Sequence, residues 1–186
     1  GERLQRLTAP FILRRLKTDT AIISDLPDKA EHVIAVDMTP EQAALYKALV
    51  DSTQAELDER KGIARKGLVL ATITRIKQVC NHPAHFLGDG SAVTDKGRHR
   101  SGKVEKLMEL LEEAAASDQR VLIFTQYKAF GDILKPYLSE RLGEDVPFLH
   151  GGVGKSARDA MVERFQQPDG PRAMILSLKA GGTGLN

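Results

Sequence analysis

Two stretches carry the residue types and spacing of a phosphate loop, in which glycine amides and a lysine cradle the phosphates of a nucleotide. Gly97 to Val104, GRHRSGKV, keeps the pattern G-x-x-x-x-G-K. It puts Val104 where Ser or Thr must hold magnesium, and the SAVTDK before it is polar loop rather than strand. Gly154-Lys155-Ser156 has the right last three residues, but the position of the first glycine is Leu149. No metal-holding acidic strand end follows either stretch, so the chain by itself lacks the parts for nucleotide hydrolysis. Metal chemistry is no better served. Of His32, His82, His85, His99 and His150, only His82 and His85 are close in sequence; they straddle Pro83 with no cysteine cluster to support them. Cys80 is the one cysteine and reads as a small buried residue on an apolar helical face. There is no Gly-x-Ser-x-Gly elbow for a nucleophile. No catalytic residue and no metal site is expected within these residues.

The composition describes what must hold any site in place. The 186 residues suffice for one ordinary domain and an appendage. With 41% hydrophobic and 28% charged residues, and apolar segments recurring throughout, the chain reads as folded rather than disordered. Its uncharged apolar runs are too short to span a bilayer. The opening GERLQRLTAPF lacks the apolar stretch of a secretory signal. A single cysteine rules out an internal disulfide and suits a reducing compartment. The absence of tryptophan argues against an aromatic platform for single strands. Net charge is only +2, but Asp58 to Lys103 holds ten basic residues against four acidic ones. Such a stretch can attract phosphate or simply solvate a helical face.

The elements change character near Gly97. Before it they are helical and loosely connected. A short strand is expected at His32 to Met38. Thr39-Pro40-Glu41-Gln42 then has the form of a capping box, and Ala44, Leu45, Ala48, Leu49 and Leu57 supply an apolar stripe. A second helix runs from about Leu68 to Cys80, with Ala71, Ile76 and Val79 inward, until Pro83 ends it. His85 to Arg100 reads as a polar loop. Beyond it the pattern is regular. Ser101 caps a helix carrying Val104, Leu107, Leu110, Leu111 and Ala114. The strand Arg120 to Gln126 lacks alternation and should be buried on both faces. A helix from Ala129 to Leu142 follows, bent by Pro136, and then a strand at Pro147 to His150. Ser156 opens a helix with Met161, Val162 and Phe165 inward, and Ala173 to Leu178 is a further buried strand. This succession predicts a parallel, doubly wound α/β lobe. LKAGGTGLN stands just past the last strand, where α/β folds place ligand loops. Three strands make a thin sheet, so the chain is expected to be a fragment cut inside its functional region.

The motifs PFILRRLKTDT at Pro10, LPDK at Leu26, QVCNHP at Gln78, SGKVEKL at Ser101, RVLIFTQY at Arg120, FLHGGVGKSARDAMVERFQ at Phe148 and LSLKAGGTGLN at Leu176 occur in one order along nearly the whole chain. That series resembles the carboxy-terminal half of Swi/Snf-type ATPases of helicase superfamily two. The resemblance implies a second RecA-like lobe (residues 98–186) incomplete at its carboxy end, preceded by a helical brace and protrusion segment (residues 1–97). The parent would be an ATP-dependent translocase on double-stranded DNA. In it, closing and opening of a cleft between two lobes ratchets the protein along the duplex. ATP and Mg2+ would be held mainly by the amino-terminal lobe.

The resemblance also implies site residues. Thr125, Gln126 and Tyr127 end one strand, His150, Gly151 and Gly152 end the next, and Lys179 follows the third. These would grip the sugar-phosphate backbone with amides and hydroxyls, although ordinary strand ends look the same. Gly181, Gly182, Thr183 and Gly184 would face the ATP cleft. Ser101 and Lys103 would meet phosphate at a helix start, a role compatible with Ser101 as a cap. Arg14 and Arg15 would brace the two lobes, and Asn81 and His82 would anchor the turn before Pro83. Expected partners are double-stranded DNA, the protein's own amino-terminal RecA-like lobe, and RNA polymerase or a chromatin-type protein, with no membrane. A different reading is a non-catalytic interaction lobe of a polymerase-associated or repair ATPase. The shortness of the segment around Asp89 points to a bacterial cytoplasm or nucleoid rather than a nucleus.

Overall fold

The computed structural model describes residues 30–178. The chain groups into two compact units, Gly1–Ala35 and Val36–Asn186. The strand expected at His32 to Met38 does not form. Those side chains are exposed, and the segment finds no neighbouring strand to pair with among the described residues.

Helix α1, Pro40–Glu59, begins with both halves of its capping box: Thr39 Oγ1 accepts from the Gln42 N–H at 3.2 Å, and Gln42 Oε1 accepts from the Thr39 N–H at 3.1 Å. Such a start contributes about 1 kcal/mol. Helix α2, Gly62–Asn81, begins a full turn and more before the expected Leu68. Gly62, at φ +60°, supplies the left-handed step that lets α2 begin three residues after α1 ends. The two helices pack antiparallel, since Thr53 meets Thr72 (Oγ1 to Oγ1, 3.3 Å) while Gln42 meets Val79. Polar residues occupy much of that seam. Gln42 and Thr53 are buried along with Leu49, whereas Ala44, Ala48 and Ala71, expected inward, are exposed.

Pro83 ends α2 and at once starts another helix, α3, Pro83–Leu87. His82 serves both. Its N–H donates to the Gln78 carbonyl, and its Nδ1 accepts the N–H of Ala84. The region expected as polar loop contains the end of α3 and a small hairpin, β1 (Thr94–Asp95) against β2 (Arg98–His99). Positive φ at both Lys96 and Gly97 gives that hairpin the tight turn that matches strand twist.

Helix α4, Gly102–Ala116, is capped by Ser101 and buries Val104, Met108 and Leu111, leaving Leu110 exposed. Strand β3 (Val121–Thr125), helix α5 (Lys128–Leu142), strand β4 (Phe148–Leu149), helix α6 (Lys155–Gln166) and strand β5 (Ala173–Ser177) complete the lobe. The three strands are parallel in the order β3-β5-β4. All five residues of β5 are buried. Ala173 and Ile175 belong to the core made with α4 and α5, while Met174 and Leu176 meet Met161, Val162 and Phe165 of α6. The sheet is therefore covered on both faces at β5.

It is not covered on both faces at β3. Leu122 is 46% and Phe124 52% exposed, which corrects the expectation of a doubly buried strand. Strand β3 lies at the edge, and its register places Leu122 and Phe124 beside Met174 and Leu176 on the α6 face. Helix α6 packs over β4 and β5 and leaves them open. A second correction concerns α6 itself: Gly154, not a side-chain cap at Ser156, occupies the N-cap. Close packing of α5 on the sheet depends on Gly131, where a Cβ would lie 2.2 Å from the Phe148 ring.

Candidate nucleic-acid interface at the sheet's carboxy edge

Parallel strands end together, and here the ends of β3 and β5 are held level by the pairing of Thr125 with Ser177. Beside the end of β3, a cleft of about 420 Å³ opens between the last turn of α2, the first turn of α4 and the start of α5. Its polar lining is Lys77, Asn81, Lys103, Thr125, Gln126 and Tyr127. No carboxylate lines it, so the two ammonium groups set its field.

Each polar residue has an identifiable support. Lys103 extends from the first turn of α4 and donates to Asn81 Oδ1 at 3.1 Å, across the gap to α2. Beneath them Ser101 is wholly buried. Its hydroxyl donates to the Asn81 carbonyl (2.6 Å) and accepts from the Val104 N–H (3.4 Å). In this arrangement Ser101 has no free surface for a ligand and acts by setting Asn81 and Lys103. Thr125 is also buried, and its Oγ1 accepts the N–H of Tyr127 at 3.1 Å, which turns the chain sharply out of β3. Gln126, at the apex of that turn, is exposed. Tyr127 is the N-cap residue of α5, and its ring meets His85 edge-on at 5.0 Å. His85 also stacks on Phe130, with its Nδ1 buried and without a hydrogen-bond partner among the described residues. Burial, followed by the neighbouring His82, holds the pKa of the His85 imidazole below its ordinary value, which favours the neutral ring.

The structure therefore brings Lys103, Thr125, Gln126 and Tyr127 to one cleft with Ser101 under it. His150, Gly151 and Gly152 end β4, on the far side of β5, and do not line this cleft. There His150 Nδ1 accepts the Gly152 N–H at 3.1 Å. A Cβ on Gly152 would come within 3.1 Å of the imidazole, so that glycine seats the ring. Lys179, Gly181, Gly182, Thr183, Gly184, Arg14 and Arg15 lie outside the described residues.

Sequence reasoning missed Lys77 as a lining residue and gave Asn81 only the turn. Their spacing of four places them on one helical face, a signal that was available. It also placed Cys80 in the core, whereas the thiol is half-buried and borders the cleft. The largest omission is Gln42. Its Nε2 donates to the carbonyls of Val79 (2.8 Å) and Cys80 (3.2 Å), and its Oε1 accepts from Gly102 N–H (3.2 Å) as well as from Thr39. One amide thus joins the starts of α1 and α4 to the end of α2, directly behind Asn81 and Lys103. Only the contact to Thr39 is local enough to be read from sequence.

The phosphate-loop spacing at Gly97 to Val104 folds otherwise. Its first residues form the hairpin, and the Gly102 amide is bonded to Gln42 instead of facing a phosphate. Among the described residues no group of three or more His, Cys, Asp and Glu side chains is placed to hold a metal ion. None of the described helices is long and apolar enough to cross a membrane.

Comparison with known proteins extends the picture. Residues 1–85 match the family described as the SNF2-related domain, and residues 102–186 match the helicase conserved C-terminal domain. YwqA of Bacillus subtilis, described as an ATP-dependent helicase/translocase, is 44% identical over 184 residues, covering 99% of this chain and 20% of its own length. The ISWI chromatin-remodeling complex ATPase CHR17 of Arabidopsis thaliana is 35% identical over 191 residues, which is 17% of its length. Among solved structures, the Sulfolobus solfataricus SWI2/SNF2 ATPase core in complex with dsDNA superposes with a TM-score of 0.75. It is 41% identical over 95% of this chain and 36% of that one. The chain spans about a fifth of the length of these two curated relatives.

Proposed function

We propose that the chain, with residues 1–85 matching the SNF2-related domain and residues 102–186 the helicase conserved C-terminal domain, belongs to the SNF2-type ATPases, and that its RecA-like lobe grips the backbone of double-stranded DNA for an ATP-driven translocase. The observation that carries this reading is the cleft at the carboxy edge of the sheet. Two lysines from different helices, a side-chain amide and the strand-end turn converge there with no carboxylate among them. Such a set suits phosphate oxygens and ignores base identity, as a motor that steps along any sequence requires. Lys77 and Lys103 are the charged contacts, Gln126 and Tyr127 flank them, and Ser101 and Thr125 hold their backbone. His150, Gly151 and Gly152, with Lys179, form a second contact along the same edge. That a Sulfolobus relative is solved with dsDNA supports the choice of duplex.

In the same reading, Gly181, Gly182, Thr183 and Gly184 line the ATP cleft against an amino-terminal RecA-like lobe that holds most of the ATP and its Mg2+. Arg14 and Arg15 brace the two lobes. Residues 1–97 act as brace and protrusion, and residues 98–186 act as the lobe proper. Phosphoryl transfer requires positioning groups from both lobes, so the catalytic activity belongs to the whole protein. The bacterial origin of YwqA supports a bacterial nucleoid as the place of action.

The test is binding of a fluorescent duplex to this chain across a salt series. Lys77→Ala and Lys103→Ala should each weaken binding for all sequences alike and reduce the slope of log affinity against log salt by about 1. An unchanged slope in the double variant overturns the assignment of this cleft.

A further inference from the structure

Helix α2 has two seams, and among the described residues only one of them is filled. Leu68, Thr72 and Val79 face α1. On the opposite side Ile63, Lys66, Leu70, Ile73 and Lys77 follow one another at intervals of three, four, three and four residues. That alternation is the spacing of a helix-to-helix contact line. Ile63 is 90% exposed, Leu70 67% and Ile73 46%, and both lysines are exposed. From Gly62 to Asn81 there are four basic residues and no acidic one. Arg75 rests over the ring of Phe86, while Lys66 has no partner among the described residues.

We infer that this outer seam of α2 is a docking line for an acidic amphipathic helix of a partner protein. Three features select that occupant. The spacing of three and four lets side chains of a second helix interdigitate with Leu70 and Ile73, which a flat or irregular surface does not do. The two lysines on the line call for Glu or Asp opposite them, and they repel a second copy of this helix laid on the same seam. Nucleic acid would satisfy the lysines and leave Ile63, Leu70 and Ile73 in contact with phosphates. The inference does not rest on the DNA reading: Lys77 borders the cleft, but Ile63, Lys66, Leu70 and Ile73 do not line it.

The experiment uses the whole chain and a labelled synthetic peptide with leucines at alternating three- and four-residue intervals and glutamates beside them. A control peptide of the same composition has the leucine spacing scrambled. The patterned peptide should bind and the scrambled one should not. Leu70→Ser and Lys66→Glu, both exposed and so compatible with folding, should each weaken binding about tenfold. Thermal melts of the variants confirm that they fold, and their affinity for duplex DNA should stay unchanged. Absence of peptide binding overturns the inference, as does equal binding of the scrambled peptide. It is equally overturned if Leu70→Ser weakens duplex binding, abolishes a dimer seen by sedimentation, or abolishes binding to phosphatidylserine vesicles that the unaltered chain shows.

Discussion

His82 shows how much one side chain can hold together. It is fully buried, its Nδ1 accepts the first amide of α3, and its Nε2 lies 3.0 Å from the Val93 carbonyl, which fixes the proton on Nε2. A second proton would sit on Nδ1 and face the Ala84 N–H. Burial is the main reason its pKa falls below the ordinary 6.5; the hydrogen bond to Val93 opposes the shift and Arg100 reinforces it. His85 is lowered too, again by burial first. The unfolded chain takes up protons near pH 6.5 and the native chain only at lower pH, so acid favours unfolding between the two. Stability from urea titrations should be level above about pH 6.5 and decline below it. In His82→Asn, which keeps a cap acceptor and cannot titrate, the decline near pH 6 should be shallower. An unaltered pH profile in that variant would show that native His82 takes up its proton as readily as the unfolded chain does. The sequence pointed to this residue through its place before Pro83, but not to Val93, which is eleven residues away and reached only by tertiary folding.

At the scale of elements, the capping box of α1, the Ser101 cap of α4 and the buried β5 were all legible, because each is a local pattern. The exposed face of β3 was not. Its run VLIF is as apolar as the AMILS of β5, and the two differ only in position, centre against edge, which depends on strand order. The packing of α5 against the sheet was equally hidden. Gly131 looks like a weak point in a helix, yet the Phe148 ring occupies the space where its side chain would be. Gly131→Ala should therefore destabilise by about 1–3 kcal/mol in spite of alanine's better helix propensity. Phe148→Leu placed in the same chain should return part of that loss, a coupling that chemical denaturation of the four variants of the cycle can measure. Additive effects would mean that helix and strand do not meet at this point.

Across the whole of the larger unit, the helical hairpin and the sheet lobe meet at Gln42. All four of its bonds end on backbone groups, in α1, α2 and α4, and it is 1% exposed. Gln42→Met keeps the volume and deletes the bonds, leaving buried carbonyls and amides unpaired. The expected cost in urea denaturation is about 2–4 kcal/mol, while a loss below about 0.5 kcal/mol would show that water replaces the amide. This joint also has a mechanical meaning. The α1–α2 hairpin projects about 30 Å at 1.5 Å per residue, and its base is fastened to the helix that carries Lys103. A sideways load at the Arg60–Lys61 tip would reach the first turn of the helix that carries Lys103 through the bonds of Gln42 to Val79, Cys80 and Gly102. The hairpin has the proportions of a lever arm whose fulcrum is that one side-chain amide.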